Sequence, residues 1–441
     1  MHEFRYEGTK LYCEGVPVET LVRKYGTPLY VYSEETIRAA YSRLDKAWEG
    51  LPHAICYAVK ANSNLAVLRA LADLGAGFDI VSGGELQRVM AAGGDPARCI
   101  FAGVGKSEEE IRAALKAGIY CFNVESEAEL ERIDAVGRKL RKKAPVALRV
   151  NPDVDARTHA KITTGTYETK FGIPFEKIRR LYAKAAGMKG VKLRGLQMHI
   201  GSQLTSVEPF EAAVAKVAPL AAELAEVHGI EFFSIGGGIG IVYRPALASG
   251  DPKWWFSPEG RRMITAEAHA EALRPHLEPL GLKIILEPGR FIVGNAGILV
   301  TRVEYVKQVG NKTFLIVDAA MNDLIRPAFY DAYHEIVPVE KKARRTVVAN
   351  VVGPVCETGD CFCRDRMLPR VGEGGFLAIL SAGAYGSVMS SNYNTRPLPA
   401  EVMVRGKRHA LVRERQPVEA IWALEKPASW QESATKRAKR K

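Results

Sequence analysis

The strongest constraint on how this 441-residue chain can fold is a pattern that recurs eight times: a short apolar run rich in β-branched and aromatic residues, then a longer stretch with helical spacing. The runs cover residues 54–59, 77–81, 99–102, 120–124, 146–150, 196–200, 231–235 and 283–286. Candidate helices span residues 64–74, 84–92, 107–117, 126–140 and 207–228. In the last of these, Phe210, Val214, Val217, Ala221 and Leu224 share one face, and Pro219 should kink it. Eight continuously apolar strands, each followed by a helix over about 250 residues, match a closed parallel barrel better than an open doubly wound sheet. From about residue 291 the texture changes to short alternating runs, at 298–309, 313–318, 346–352, 375–380, 401–404 and 407–412, with turns marked by Gly and Pro.

The expected fold class is therefore α/β plus all-β: a TIM-type (β/α) barrel over residues 34–290, then a C-terminal β-sandwich or β-barrel domain over 291–425. Residues 1–33 should pack with that second domain, the run 29–33 serving as an extra strand. Residues 426–441 carry five Lys or Arg in their last six positions, with no apolar periodicity, and read as a basic disordered tail. Five of the charges behind the net +12 thus sit in the tail, the body of the protein is only mildly basic, and a nucleic-acid partner is not expected. With 47% hydrophobic and 25% charged residues, the chain is neither disordered nor fibrous. No run reaches the roughly 18 apolar residues of a membrane span, and MHEFRYEGTK is not a signal peptide, so a cytoplasmic location without a membrane partner is expected. Seven scattered cysteines fit reduced thiols; Cys356, Cys361 and Cys363 cluster without a CxxC pair or a nearby His, and no metal is expected.

In such a barrel the chemical residues lie just past the strands. This picks out Lys60, Asp79, Asn151, His199, Gly236 to Gly238 and Glu287. Lys60, at the end of a buried strand, is either a Schiff-base lysine or one that snorkels to the rim. GGGIG at 236–240 fails the dinucleotide pattern because Ile241 replaces its last glycine; it is a phosphate-holding turn or a tight turn without a ligand. Glu287 could hold a ring nitrogen protonated or pair with Arg290, and His199 is a core histidine or a ring stacked on a planar cofactor. Together, a lysine for an imine, a glycine turn for a phosphate, a carboxylate for a pyridinium and a flat ring suit pyridoxal 5'-phosphate (PLP).

The motifs YAVKAN, FDIVSGGEL, HIGSQ, GGGIG, EPGR, GPVCETGD and GAYG, in this order over about residues 25–420, resemble those of the fold-type III (alanine racemase-like) PLP decarboxylases, most closely the family acting on meso-diaminopimelate. That resemblance implies a homodimer with shared active sites. It implies that Lys60 binds the cofactor, that Asp79 lies beside it, that His199 stacks on the ring and that Glu287 pairs with the ring nitrogen. Gly236, Gly237, Gly238, Ser202 and Tyr385 would hold the phosphate. Cys356 would enter from the other subunit as proton donor, and Arg290, Arg326, Tyr330, Glu357 and Tyr385 would meet the substrate.

The expected reaction is decarboxylation of meso-2,6-diaminopimelate to L-lysine and CO2, the last step of lysine biosynthesis. A distal carboxylate calls for arginine, which Arg290 and Arg326 supply, and Glu357 can take the distal ammonium. The alternatives are a same-fold decarboxylase of ornithine, arginine or carboxynorspermidine, and a non-catalytic regulatory homologue; Lys60 and Cys356 count against the latter. A racemase is disfavoured by Glu287. The polar segment Asp153 to Gly172 fits an active-site lid, and residues 340–345 a solvated charge run.

Overall fold

All eight expected strands form, within a few residues of the expected bounds: β1 (His53–Ala58), β2 (Gly77–Ile80), β3 (Cys99–Phe101), β4 (Cys121–Val124), β5 (Ala144–Asn151), β6 (Val191–Met198), β7 (Phe232–Gly236) and β8 (Lys283–Leu286). The computed structural model describes residues 2–154, 170–342 and 345–431. Each strand pairs in parallel with the next, and β8 returns to β1, so the sheet closes into a barrel. Its interior is filled by side chains: Cys56, Ile100, Cys121, Ala147, Phe232 and Ile285, from six strands, form one buried cluster. Gly195 on β6 makes room for the Phe232 ring, which a Cβ there would meet at 2.4 Å.

The four helices that follow β1 to β4 start where the sequence places an oxygen-bearing cap. Asn64, Ser82, Ser107 and Ser126 each accept from a backbone N–H of the first turn, and Ser107 with Glu110 forms a reciprocal capping box. Each cap stabilises its helix by about 1 kcal/mol. Two of them, Asn64 and Ser82, close the turns that follow Lys60 and Asp79. The helix expected at 207–228 runs as one element, Glu208–His228, through Pro219.

The second sheet runs in the order Cys361–Pro369, Thr346–Val352, Lys312–Val317, Gly297–Val309, Leu29–Ser33, Ala400–Arg405, Arg408–Arg413, with Phe376–Ile379 also on Gly297–Val309 and Ile336–Pro338 beyond it. The early strand Leu29–Ser33 is buried along its whole length between an antiparallel and a parallel neighbour. A small N-terminal sheet, Phe4–Glu7, Lys10–Cys13 and Val16–Pro17, is tied to this domain by Leu11 N–H donating to Val339 O at 2.8 Å. Cys361–Pro369 was not expected as a strand because Arg364, Asp365 and Arg366 interrupt its apolar pattern, which an edge strand tolerates. No described helix is long and apolar enough to cross a membrane. The lid expected at 153–172 falls for residues 155–169 outside the described residues, as do residues 343–344 of the charge run and 432–441 of the tail.

Candidate active site

The strand ends and the second domain enclose one cavity of about 290 Å³, lined among others by Lys60, Asp79, His199, Ser202, Gly238, Glu287, Arg290, Arg326, Tyr330 and Tyr385. Ten of the residues expected at the site thus share it. Gly236 and Gly237 form the turn beneath Gly238 without lining the cavity. Cys356 and Glu357 lie elsewhere, exposed on a turn of the second domain.

Lys60 sits in a single 3-10 turn, Val59–Ala61, directly after β1. That turn is gripped by GAYG: the Tyr385 N–H donates to Ala61 O at 2.8 Å, and Asn62 Nδ2 donates to Gly383 O at 3.1 Å. The Lys60 Nζ donates to Asp79 Oδ2 at 2.5 Å. Burial alone would lower the ammonium's pKa, but Asp79, with Tyr385 and Glu287, outweighs it and holds the pKa above its ordinary value. The lysine is 40% exposed, facing the cavity, while Asp79 is buried. Snorkelling to the rim is thereby ruled out.

Glu287, just past β8, accepts from Ser234 Oγ at 2.7 Å, Gln197 Nε2 at 3.0 Å and Asn123 Nδ2 at 3.3 Å. Burial, reinforced by Asp79, pushes its carboxyl up to about 7. It does not form the ion pair with Arg290 that the sequence left open; Arg290 instead donates to Tyr243 Oη at 2.6 Å and Ser202 Oγ at 3.1 Å. His199 lies one residue past β6 and accepts from the Gly237 N–H at Nδ1, 3.2 Å away. Burial, with Arg149 and Lys60 nearby, holds it well below the ordinary histidine range, so the ring is neutral. A Cβ on Gly237 would meet Glu287 O at 2.1 Å, and one on Gly238, whose φ is +112°, would meet Gly201 O at 2.6 Å. The turn therefore accepts only glycine at these positions.

Asn151 is not at the cavity: β5 extends through it, and Arg149, two residues earlier on the same face, lines the wall, paired with Glu125 at 2.8 Å. Arg149, Gln197, Asn123 and Ser234 were missed. Their signal was present, since each is a polar letter inside a continuously apolar strand.

The residues fit PLP. Asp79 and Gln197 line the cavity, and Asp79 Oδ1 and Gln197 Oε1 are buried without a partner among the described residues, as groups reserved for a polar ligand would be. The glycine turn offers backbone close to a phosphate, and a buried carboxylate with only neutral donors around it is suited to a cationic ring nitrogen.

A barrel closed around such a lysine is the frame of the pyridoxal-dependent decarboxylases, and the family model described as their pyridoxal binding domain matches residues 34–294. Diaminopimelate decarboxylase of Vibrio cholerae is 48% identical over 427 residues, covering 96% of this chain and 99% of the relative. That of Pseudomonas aeruginosa is 49% identical over 429 residues, with 96% and 99% covered. The crystal structure of the Helicobacter pylori diaminopimelate decarboxylase complexed with L-lysine superposes with a TM-score of 0.86 at 40% identity, covering 92% of this chain and 99% of that one. The chain belongs to the diaminopimelate decarboxylase family.

Proposed function

We propose that this chain removes CO2 from meso-2,6-diaminopimelate to give L-lysine, the closing step of lysine biosynthesis, as a cytoplasmic homodimer. The observation that carries the substrate choice is the pair of buried arginines, Arg290 and Arg326, in the same cavity as Lys60. Ornithine and arginine present only a cation at the far end, which two buried guanidiniums would repel. Diaminopimelate presents a carboxylate there.

When bound, PLP supplies an electron sink for the pair left behind as CO2 departs. Lys60 would hold the cofactor, and Asp79, which accepts from its Nζ, would keep the lysine nitrogen in place. Glu287 would hold a proton at the pyridine nitrogen; a cation opposite its buried carboxyl would favour the ionised form that burial alone disfavours. His199, neutral and flat, would lie against the ring. Gly236, Gly237 and Gly238, with Ser202 and Tyr385, would take the phosphate. Arg290, Arg326, Tyr330 and Tyr385 orient the substrate.

The reacting carbon must then gain a proton, and Cys356 of a second copy of the chain delivers it, with Glu357 beside it taking the distal ammonium. Two facts support this division. Cys356 is exposed, and it does not line the cavity of its own chain. All seven cysteines are free thiols, which fits a reducing compartment.

The test is CO2 release by the PLP-loaded protein from meso-diaminopimelate, ornithine and arginine, with Lys60→Ala as control. Release from diaminopimelate alone, lost in the variant, is expected. Release from ornithine or arginine in its place would overturn the substrate choice, and none from any substrate would point to a regulatory homologue.

A further inference from the structure

Buried arginines are ordinarily neutralised by a carboxylate. Among the described residues, no hydrogen-bond partner of the two in the cavity is a carboxylate: Tyr243 and Ser202 serve Arg290, and His334 serves Arg326. We propose that Tyr243 and His334 are positioning residues that set this chain's preference for a substrate with a carboxylate at its far end, by orienting Arg290 and Arg326 without spending their charge. The inference rests on the substrate reading above.

His334 is fully buried, and its Nδ1–H donates to Leu380 O at 2.8 Å. That bond fixes the tautomer, because the remaining ring nitrogen, Nε2, must then be the acceptor for Arg326 Nε at 3.3 Å. Burial, with Arg326 beside it, lowers the ring to about 3, so it stays a neutral acceptor at any ordinary pH. With Nε occupied, Arg326 keeps its two Nη nitrogens, the edge that grips a carboxylate with two parallel bonds; among the described residues that edge has no hydrogen-bond partner.

Tyr243 does the same for the other arginine. It stands just past the glycine turn, and its Oη accepts from Arg290 Nη1 at 2.6 Å. Its ring centroid is 5.9 Å from the Arg290 guanidinium and 5.5 Å from that of Arg326, so one side chain spaces both cations. It meets the His334 ring edge-on, 5.3 Å away at 82°. Arg290 Nε is buried with no hydrogen-bond partner among the described residues. Two guanidiniums this close, buried and uncompensated, are a standing demand for an anion. Neutral supports keep that demand intact where a carboxylate would have met it.

The experiment compares L-lysine with 1,5-diaminopentane, which differ only by the carboxylate, in calorimetric titrations of the PLP-loaded protein. The wild-type protein should bind L-lysine more tightly; equal binding by the wild type would contradict the substrate reading itself. In Tyr243→Phe and in His334→Leu, the L-lysine affinity should fall about 10-fold while that of 1,5-diaminopentane stays within about 2-fold. KM for meso-diaminopimelate should rise in step, with kcat little changed. His334→Gln, which restores a neutral acceptor, should recover most of the loss. Wild-type discrimination that survives in both variants, or equal losses for both ligands, would overturn this inference alone. Because Tyr243→Phe keeps the ring and removes one hydroxyl, it reads out the proposal even if His334→Leu does not fold.

Discussion

Two turns of the second domain carry motifs of the same family and meet opposite fates. GAYG reaches back to its own barrel: Tyr385 and Asn62 lock it to the Lys60 turn, and a Cβ on Gly383 would strike Val293 O at 1.9 Å. GPVCETGD is built as carefully but faces away. Asp360 accepts from the backbone N–H groups of Met321 at 2.7 Å and Val355 at 2.8 Å, and the turn they shape leaves Cys356 and Glu357 in solvent. One turn completes a cavity within its chain, while the other displays a thiol and a carboxylate on an ordered surface. On the proposed reading, the difference separates the groups that would hold the cofactor, which one chain supplies, from the proton donor, which comes from a second chain.

The largest effect should come from the enclosed side. Lys60→Ala should lower CO2 release from meso-diaminopimelate by at least about 10⁴-fold and abolish the absorbance band of the lysine-linked cofactor. Cys356→Ala should cost about 10³-fold in kcat yet leave that band unchanged, because the thiol does not touch its own chain's cavity. A band altered by Cys356→Ala would break the comparison. Arg326→Met should raise KM for diaminopimelate about 10- to 100-fold with kcat within a few-fold, a split that steady-state kinetics reads directly.

The smallest effect concerns stability. His269 is buried between Phe210, 4.8 Å away edge-on, and Trp48, and burial lowers it to about 3. An unfolded histidine takes its proton below about 6.5, whereas this folded one does not, so its contribution is complete above pH 6.5 and is lost as pH falls toward 3. Thermal melts at pH 7 and pH 5 should therefore show a drop in Tm that is smaller by about 2 °C in His269→Leu than in the wild type. An equal drop would remove His269 from the account of acid sensitivity.

Much of this was legible in the sequence, because barrel strands buried on both faces announce themselves as apolar runs and their ends line the cavity. Lys60, Asp79, His199 and Glu287 were found that way. The start of β6 was placed late because Lys192 and Arg194 break its apolar pattern; the structure explains them through Glu231, which pairs with Lys192 at 2.9 Å and also with Arg194. Asn123, Gln197 and Ser234 hid inside apolar runs as single polar letters, although a buried strand with one polar residue is itself a signal. Tyr243 and His334 could not be read at all. Their meaning lies in tertiary contacts with two arginines, from segments some ninety residues apart in the chain.

The most direct test mixes two inactive proteins. Lys60→Ala and Cys356→Ala chains, denatured together and refolded with PLP, should regain about one quarter of the wild-type rate, since half of the dimers are mixed and each of these holds one intact site. Activity no higher than that of either parent would contradict the account, placing the cysteine and the lysine of each site on the same chain.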